Sequence, residues 1–179
     1  MMIVQSPLVW LARARHRRGY GVHSPFAFDF ITNVLYNKER YYAYANMDRN
    51  LRWWQKARVR SVRRLLFRLA NFHRPKTLLF LCKDNALFEA CHYGVRGLTL
   101  LCLDEDAVAD MIVVDSEEEQ VLSRIADGTM IVLLNLRRNR AFWQKVKADE
   151  RVRVTFDMYD IGVAIARGEL NKQDYVVNW

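Results

Sequence analysis

Residue types that do chemistry are thinly spread along this chain, and their spacing limits what they could do. His23 stands in Val22-His23-Ser24-Pro25, and an imidazole titrates near neutrality, so it could give or take a proton. No carboxylate lies nearby in sequence to orient the ring. Ser24-Pro25 reads better as a helix start, with the hydroxyl capping exposed amides and the proline fitting the first turn. His23 is therefore expected to be a hydrogen-bonded packing histidine. His16, His73 and His92 have no metal-ligand spacing between them. Cys82, Cys91 and Cys102 are odd in number, form no CxxC pair and sit in apolar runs. They are expected to be small buried hydrophobes in a reducing compartment, not a disulfide framework or a zinc site. The sequence contains no GxSxG, phosphate loop or HExxH, and no metal is expected.

A second group suits binding better than catalysis. Tyr41, Tyr42, Tyr44, Trp53 and Trp54 are interleaved with Arg49, Arg52, Lys56, Arg58 and Arg60. Aromatic faces stack on unpaired bases and cations meet phosphate, so Arg58, Arg60, Arg64, Trp53 and Trp54 are candidates for a nucleic-acid interface. In the competing arrangement the aromatics form a seam between helices and sheet, with solvated arginines outside. The charge distribution admits both. Residues 1–75 hold 15 Lys+Arg against 3 Asp+Glu, and residues 76–179 hold 13 against 17, which leaves the chain at +8. A basic helical half docked on an acidic α/β half is the plainer account, and a nucleic-acid footprint the sharper one.

The elements that would position these groups follow from periodicity. A length of 179 residues suits one domain, and 51% hydrophobic content is enough to bury a core. After Ser24-Pro25, the residues Phe26, Phe30, Ile31, Val34 and Leu35 share one helical face. Further helices are predicted over 49–60 and 61–72. In the latter Val62, Leu65, Leu66, Leu69 and Ala70 form the stripe, Arg60, Arg63, Arg64 and Arg68 lie mostly off it, and Pro75 stops it. From Thr77 strands and helices alternate. Strands are expected at 77–81, 98–103, 111–114, 130–134, 152–156, 161–166 and 175–177, and helices at 84–93, 117–126 and 139–148, with Gly94 as a C-cap. This alternation argues a mainly parallel sheet covered by helices. Only seven residues (104–110) separate the second and third strands. They reach about 23 Å, where parallel strands ordinarily need a crossover of about a dozen or more. The start of the chain places a short apolar stretch before its arginines, the reverse of a secretory signal, and no apolar run is long enough to cross a membrane. A cytoplasmic protein without membrane contact is expected.

Two segments carry a resemblance. Gly19-Tyr20-Gly21-Val22-His23-Ser24-Pro25-Phe26 resembles the GxGxHSPF opening of a group of bacterial class I SAM-dependent methyltransferase-like proteins. Phe142-Trp143, Val152-Arg153-Val154-Thr155-Phe156-Asp157, Gly162 and Leu170-Asn171-Lys172-Gln173-Asp174-Tyr175 are similar to their C-terminal part. The resemblance implies an α/β fold: an abbreviated Rossmann-like methyltransferase sheet behind an N-terminal helical extension. The extension is expected over 1–75 and the sheet domain over 76–179, packed as one unit. SAM is the cofactor implied, held by a loop of the form acidic-x-Gly-x-x-x-Gly after the first strand. Glycine there lets the backbone approach the cofactor where a Cβ would collide. Here Phe80, Cys82 and Ala86 stand at the acidic and the two glycine positions. The same comparison assigns Cys82 and Asp84 to that loop, Asp104 to the ribose hydroxyls and Asp115 to the end of the next core strand, near the substrate. Where the relatives carry an acidic pair after the strand at 130–134, this chain has Asn135-Leu136-Arg137-Arg138-Asn139, which repels a divalent cation. The expectation is a methyltransferase homologue with lost or weakened SAM binding and a binding or scaffold role toward a protein or small molecule. The alternatives are an active small-molecule methyltransferase using Asp104 and Asp115, and a nucleic-acid-binding module using the basic half.

Overall fold

The computed structural model describes residues 22–49, 51, 57–103 and 107–179. Ser24 caps the first helix, α1 (Pro25–Asp29), its hydroxyl accepting from the Ala27 amide at 3.4 Å. The helix widens directly into a π-helical stretch, Phe30–Leu35, closed by Tyr36 N bonding to Ile31 O. Two more helices follow, α2 (Ala43–Asp48) and α3 (Arg58–His73). Of the helix expected over 49–60, residues 58–60 form the first turn of α3. Residues 50 and 52–56 lie outside the described residues, as do 1–21.

From Thr77 the expected alternation is observed. The elements are β1 (Thr77–Leu81), α4 (Asn85–Gly94), β2 (Thr99–Leu101), β3 (Met111–Val114), α5 (Gln120–Ser123), β4 (Met130–Leu134), α6 (Arg140–Ala148), β5 (Val154–Asp157), β6 (Ile161–Ile165) and β7 (Gln173–Val176). They form one seven-stranded sheet in the order β2-β1-β3-β4-β6-β5-β7. The pairs β2–β1, β1–β3 and β3–β4 are parallel, and β6 runs antiparallel between β4 and β5. This is an α/β, Rossmann-like sheet with helices ahead of it, as the sequence predicts.

Side-chain alternation divides the core in two. Leu78, Met111, Val113, Met130 and Val132 point to the face covered by α1 to α4. Leu79, Ile112, Val114, Ile131 and Leu133 point to the face covered by α5 and α6, against Phe142, Trp143 and Val146. On the first face Phe30, Leu65, Leu66 and Leu69 are fully buried, and Phe26 packs at the edge. Two glycines serve close approach. A Cβ on Gly162 would come within 2.8 Å of the Trp143 ring, so β6 makes room for that side chain. Gly94 closes α4 as its last helical residue, with Val95 the cap rather than Gly94. A Cβ there would meet the Phe67 carbonyl at 2.5 Å and the Ala70 Cβ at 2.8 Å on α3. Because one obstacle is backbone, Gly94→Ala should cost about 2 kcal/mol, read as a lower urea midpoint. An unchanged midpoint would mean that α3 and α4 can part without penalty.

The short link between β2 and β3 works because β2 has only three residues, so the returning chain has about 10 Å to cover. Arg124 bridges the link, its guanidinium donating to Leu103 O at 2.7 Å and Ala107 O at 3.2 Å. The Asp110 carboxylate then receives the Lys76 and Thr77 amides at 2.8 and 2.9 Å and pins the starts of β3 and β1 together. Burial pushes the Asp110 carboxyl up, but the Thr77 and Lys76 hydrogen bonds outweigh it and hold the group below the usual carboxylate range.

Candidate functional site

In a doubly wound sheet, ligands sit outside the carboxyl ends of the strands, where the strand order reverses. Here that place lies between β1 and β3, because β2 lies on one side of β1 and β3 on the other. Cys82 and Asp84 follow β1 and Asp115 follows β3, with Leu81 level with Val114, so the structure brings these three sequence candidates to the same end of the sheet. Asp104 lies outside the described residues. Asp115 is half-buried, and its carbonyl receives the Asn139 side-chain amide at 3.1 Å.

The turn after β1 is built as packing. Cys82 and Phe80 both lean on the core shared with α1 to α4, and the Phe80 ring meets Phe88 edge-on at 5.7 Å. Burial raises the Cys82 thiol far above its ordinary value, and the Asp115 charge pushes in the same direction. Burial pushes Cys91 up to about 12. Neither sulfur is a nucleophile at neutral pH. Cys102, expected to be buried, is exposed beside the edge strand β2. In the apolar run that contains it Leu98, Leu101 and Leu103 pack against the core, while Leu100 and Cys102 are exposed.

Asp84 has a local task as well. It caps α4, with its carboxylate accepting from Ala86 N at 2.9 Å and its carbonyl from Leu87 N at 3.0 Å. Two of the amides that open this helix, those of Ala86 and Leu87, are thus already satisfied. No glycine lies between Leu81 and Tyr93, so Cβ atoms line the turn where a dinucleotide-type site needs bare backbone. Among the described residues no strand lies beyond β2, and none of their acidic, cysteine and histidine side chains forms a group that could hold a metal ion. No helix among them is long and apolar enough to cross a membrane.

The basic candidates on α3 are committed inside the fold. Arg60 and Arg64 both pair with Asp48, the Arg60 contact at 3.2 Å, and Arg64 also lies over the Tyr44 ring at 4.5 Å. Arg63 and Arg68, expected mostly off the apolar stripe, are 4% and 8% exposed. Arg63 reaches Glu89 at 3.6 Å, and Arg68 donates to Val34 O at 2.6 Å and Leu35 O at 3.2 Å. Trp53, Trp54 and the side chain of Arg58 lie outside the described residues.

The segments that carry the family resemblance have structural tasks in the described part. Ser24 caps α1 and its hydroxyl meets the Tyr175 phenol, while His23 is exposed instead of packed. The Phe26 ring lies 5.7 Å from the Arg167 guanidinium. Arg167 follows β6, whose end is level with Met130 at the start of β4. His23 therefore sits at the amino end of the parallel strands, opposite Cys82 and Asp115, and the two cannot share a reaction. Lys172, which the sequence reading did not single out, donates to the carbonyls of Lys147, Asp149 and Val152 at 2.6–2.8 Å and closes the end of α6. Asp174 holds Lys147 at 2.9 Å, and Tyr175 stacks on Phe156 at 5.5 Å.

No protein-family model matches the chain, and no curated protein sequence does. Among solved structures it is similar to the SAH-bound Podospora anserina methyltransferase PaMTH1, at 11% identity and a TM-score of 0.48, over 69% of this chain and 86% of that one.

Proposed function

We propose that this chain is a methyltransferase-like protein that has lost SAM binding and serves as a binding or scaffold protein. The observation that carries the reading is the turn from β1 into α4. Phe80 and Cys82 occupy it as half-buried side chains packed against the core, and Asp84 takes the Ala86 and Leu87 amides. A cofactor would have to displace packed apolar groups and break a helix cap, worth about 1 kcal/mol by itself, with no glycine to let it approach the protein backbone. Among the described residues there, burial and the Asp115 charge both favour the protonated Cys82 thiol, which is the poorer nucleophile.

Calorimetry with the full chain tests this directly. Titration with SAM or SAH should give no binding heat up to about 1 mM, the concentration at which a Kd corresponds to −4.1 kcal/mol. A low-micromolar Kd, about −8 kcal/mol, would overturn the proposal and restore the enzyme that uses Asp104 and Asp115.

A further inference from the structure

The two edges of the sheet are guarded unequally. β7 carries Asp174, which holds Lys147 and Thr155, and Lys172 stands just before it. Charges of this kind discourage a further strand. β2 carries none. From Gly97 to Leu103 the chain reads Gly-Leu-Thr-Leu-Leu-Cys-Leu, without a charge or a proline. Among the described residues β2 pairs with β1 alone. Thr99 N donates to Lys76 O at 2.8 Å. In a parallel ladder Thr99 and Leu101 therefore turn their backbone groups inward, and Leu100 turns its own outward.

The side chains around this edge are apolar and exposed. Leu100 is level with Leu78 and so lies on the face that α4 covers, yet it is 50% exposed. Tyr93 in the last turn of α4 and Val108 in the link to β3 are exposed too. An apolar edge strand whose amides and carbonyls face outward is a template for pairing with another chain.

We infer that the outer edge of β2 pairs antiparallel with β2 of a second copy of this chain, about a twofold axis at Leu100. The two ends of the strand favour its own copy as the occupant. Arg96 and Lys76 are exposed at the amino end, and the sequence continues beyond Leu103 as Asp104-Glu105-Asp106. With Leu100 on the axis, position 96 of each copy comes opposite position 104 of the other, so basic ends meet acidic ends. Parallel pairing would set like charge beside like. The Leu100 N–H and C=O exchange both bonds with their counterparts, and the two Leu100 side chains meet on the α4 face. Such a contact is isologous and closes on itself, so it recruits no third chain at this edge. The described part of the chain begins at Val22, and Ser24 close by meets Tyr175 of β7. Its leading segment thus starts across the full width of the sheet from β2. The inference goes beyond the binding role proposed above and does not depend on whether SAM binds.

Sedimentation velocity of the full chain should show a dimer of two 21.2 kDa chains that dissociates on dilution from about 100 μM. Leu100→Lys sets a charge on the exposed edge and should weaken the dimer at least about tenfold. Its melting temperature should match the parent's at a dilution where both are monomers. Leu100→Cys/Cys102→Ser should form a reducible intermolecular disulfide under mild oxidation, because facing Cα atoms in such a pair stand about 5.5 Å apart. Hydrogen exchange at the Leu100 amide should slow as protein concentration rises. A parent chain that stays monomeric at the highest concentration would overturn the proposal. Slow exchange at Leu100 in that monomer would mean that the chain's own residues cover the edge, and fast exchange that a strand of another protein is its occupant. A dimer that Leu100→Lys leaves at parent strength would place the interface elsewhere and overturn the proposal as well.

Discussion

Phe30→Ala should destabilise the protein by about 3–5 kcal/mol, and the helical extension and the sheet should still unfold in a single step. Phe30 is fully buried in the π-helical stretch after α1. Its ring stacks on Phe156 of β5 at 4.6 Å, meets Phe72 of α3 edge-on at 5.5 Å and lies 6.2 Å from Phe26. One side chain thus ties the first helix to the third and to the sheet, and its removal opens a cavity walled by three elements. The ion pairs around this seam contribute far less. Arg63 meets a Glu89 side chain that is 60% exposed, and such pairs typically give about 0–1 kcal/mol. Added salt should therefore move the unfolding midpoint only slightly. Urea unfolding followed by both tryptophan fluorescence and far-ultraviolet circular dichroism checks the claim. Two separate transitions, or a 76–179 fragment as stable as the whole chain, would show that the extension is an independent arm.

Much of the fold was legible because the parallel strands are buried on both faces. Thr77–Leu81, Met111–Val114 and Met130–Leu134 are continuous apolar runs bounded by polar turns, and no other placement could bury them. Local signals also held where the partners are near in sequence, as with Ser24 at the start of α1 and Asp84 at the start of α4. Misses occurred where a distant side chain competes with a local pattern. The helix expected over 117–126 shrinks to Gln120–Ser123. Lys145 draws Glu117 and Glu119 toward α6, and Arg151 takes the carbonyls of Leu122 and Ile125, each at 2.7 Å. Gly94 looked like a cap by position, yet its Cβ-free face is needed for contact with α3. At the candidate site, strand order was enough to bring Cys82 and Asp115 together.

The arginines of α3 give the sharpest case, since helical periodicity alone counts a charged residue as outward-facing. Arg68 instead lies among apolar side chains, where the π-helical stretch ends and its last carbonyls have no helical partner. Its Nε donates to Val34 O at 2.6 Å, and its terminal nitrogens to Leu35 O at 3.2 Å and the Tyr44 hydroxyl at 3.5 Å. Trp179 adds a second donor to Leu35 O at 2.9 Å, so loss of Arg68 strands Val34 O more completely than Leu35 O. A buried polar group left unpaired costs about 1–3 kcal/mol. Arg68→Met, which keeps the apolar stem and removes every donor, should therefore lower stability by about 3 kcal/mol. Arg68→Lys should recover only part of the loss, because a single ammonium lacks the planar fork that spans two carbonyls and a hydroxyl. Urea denaturation of the two variants decides the matter. If methionine leaves the parent stability unchanged, water reaches those carbonyls and the arginine is not holding the end of the stretch. If lysine restores it fully, charge rather than fork geometry is what the site requires.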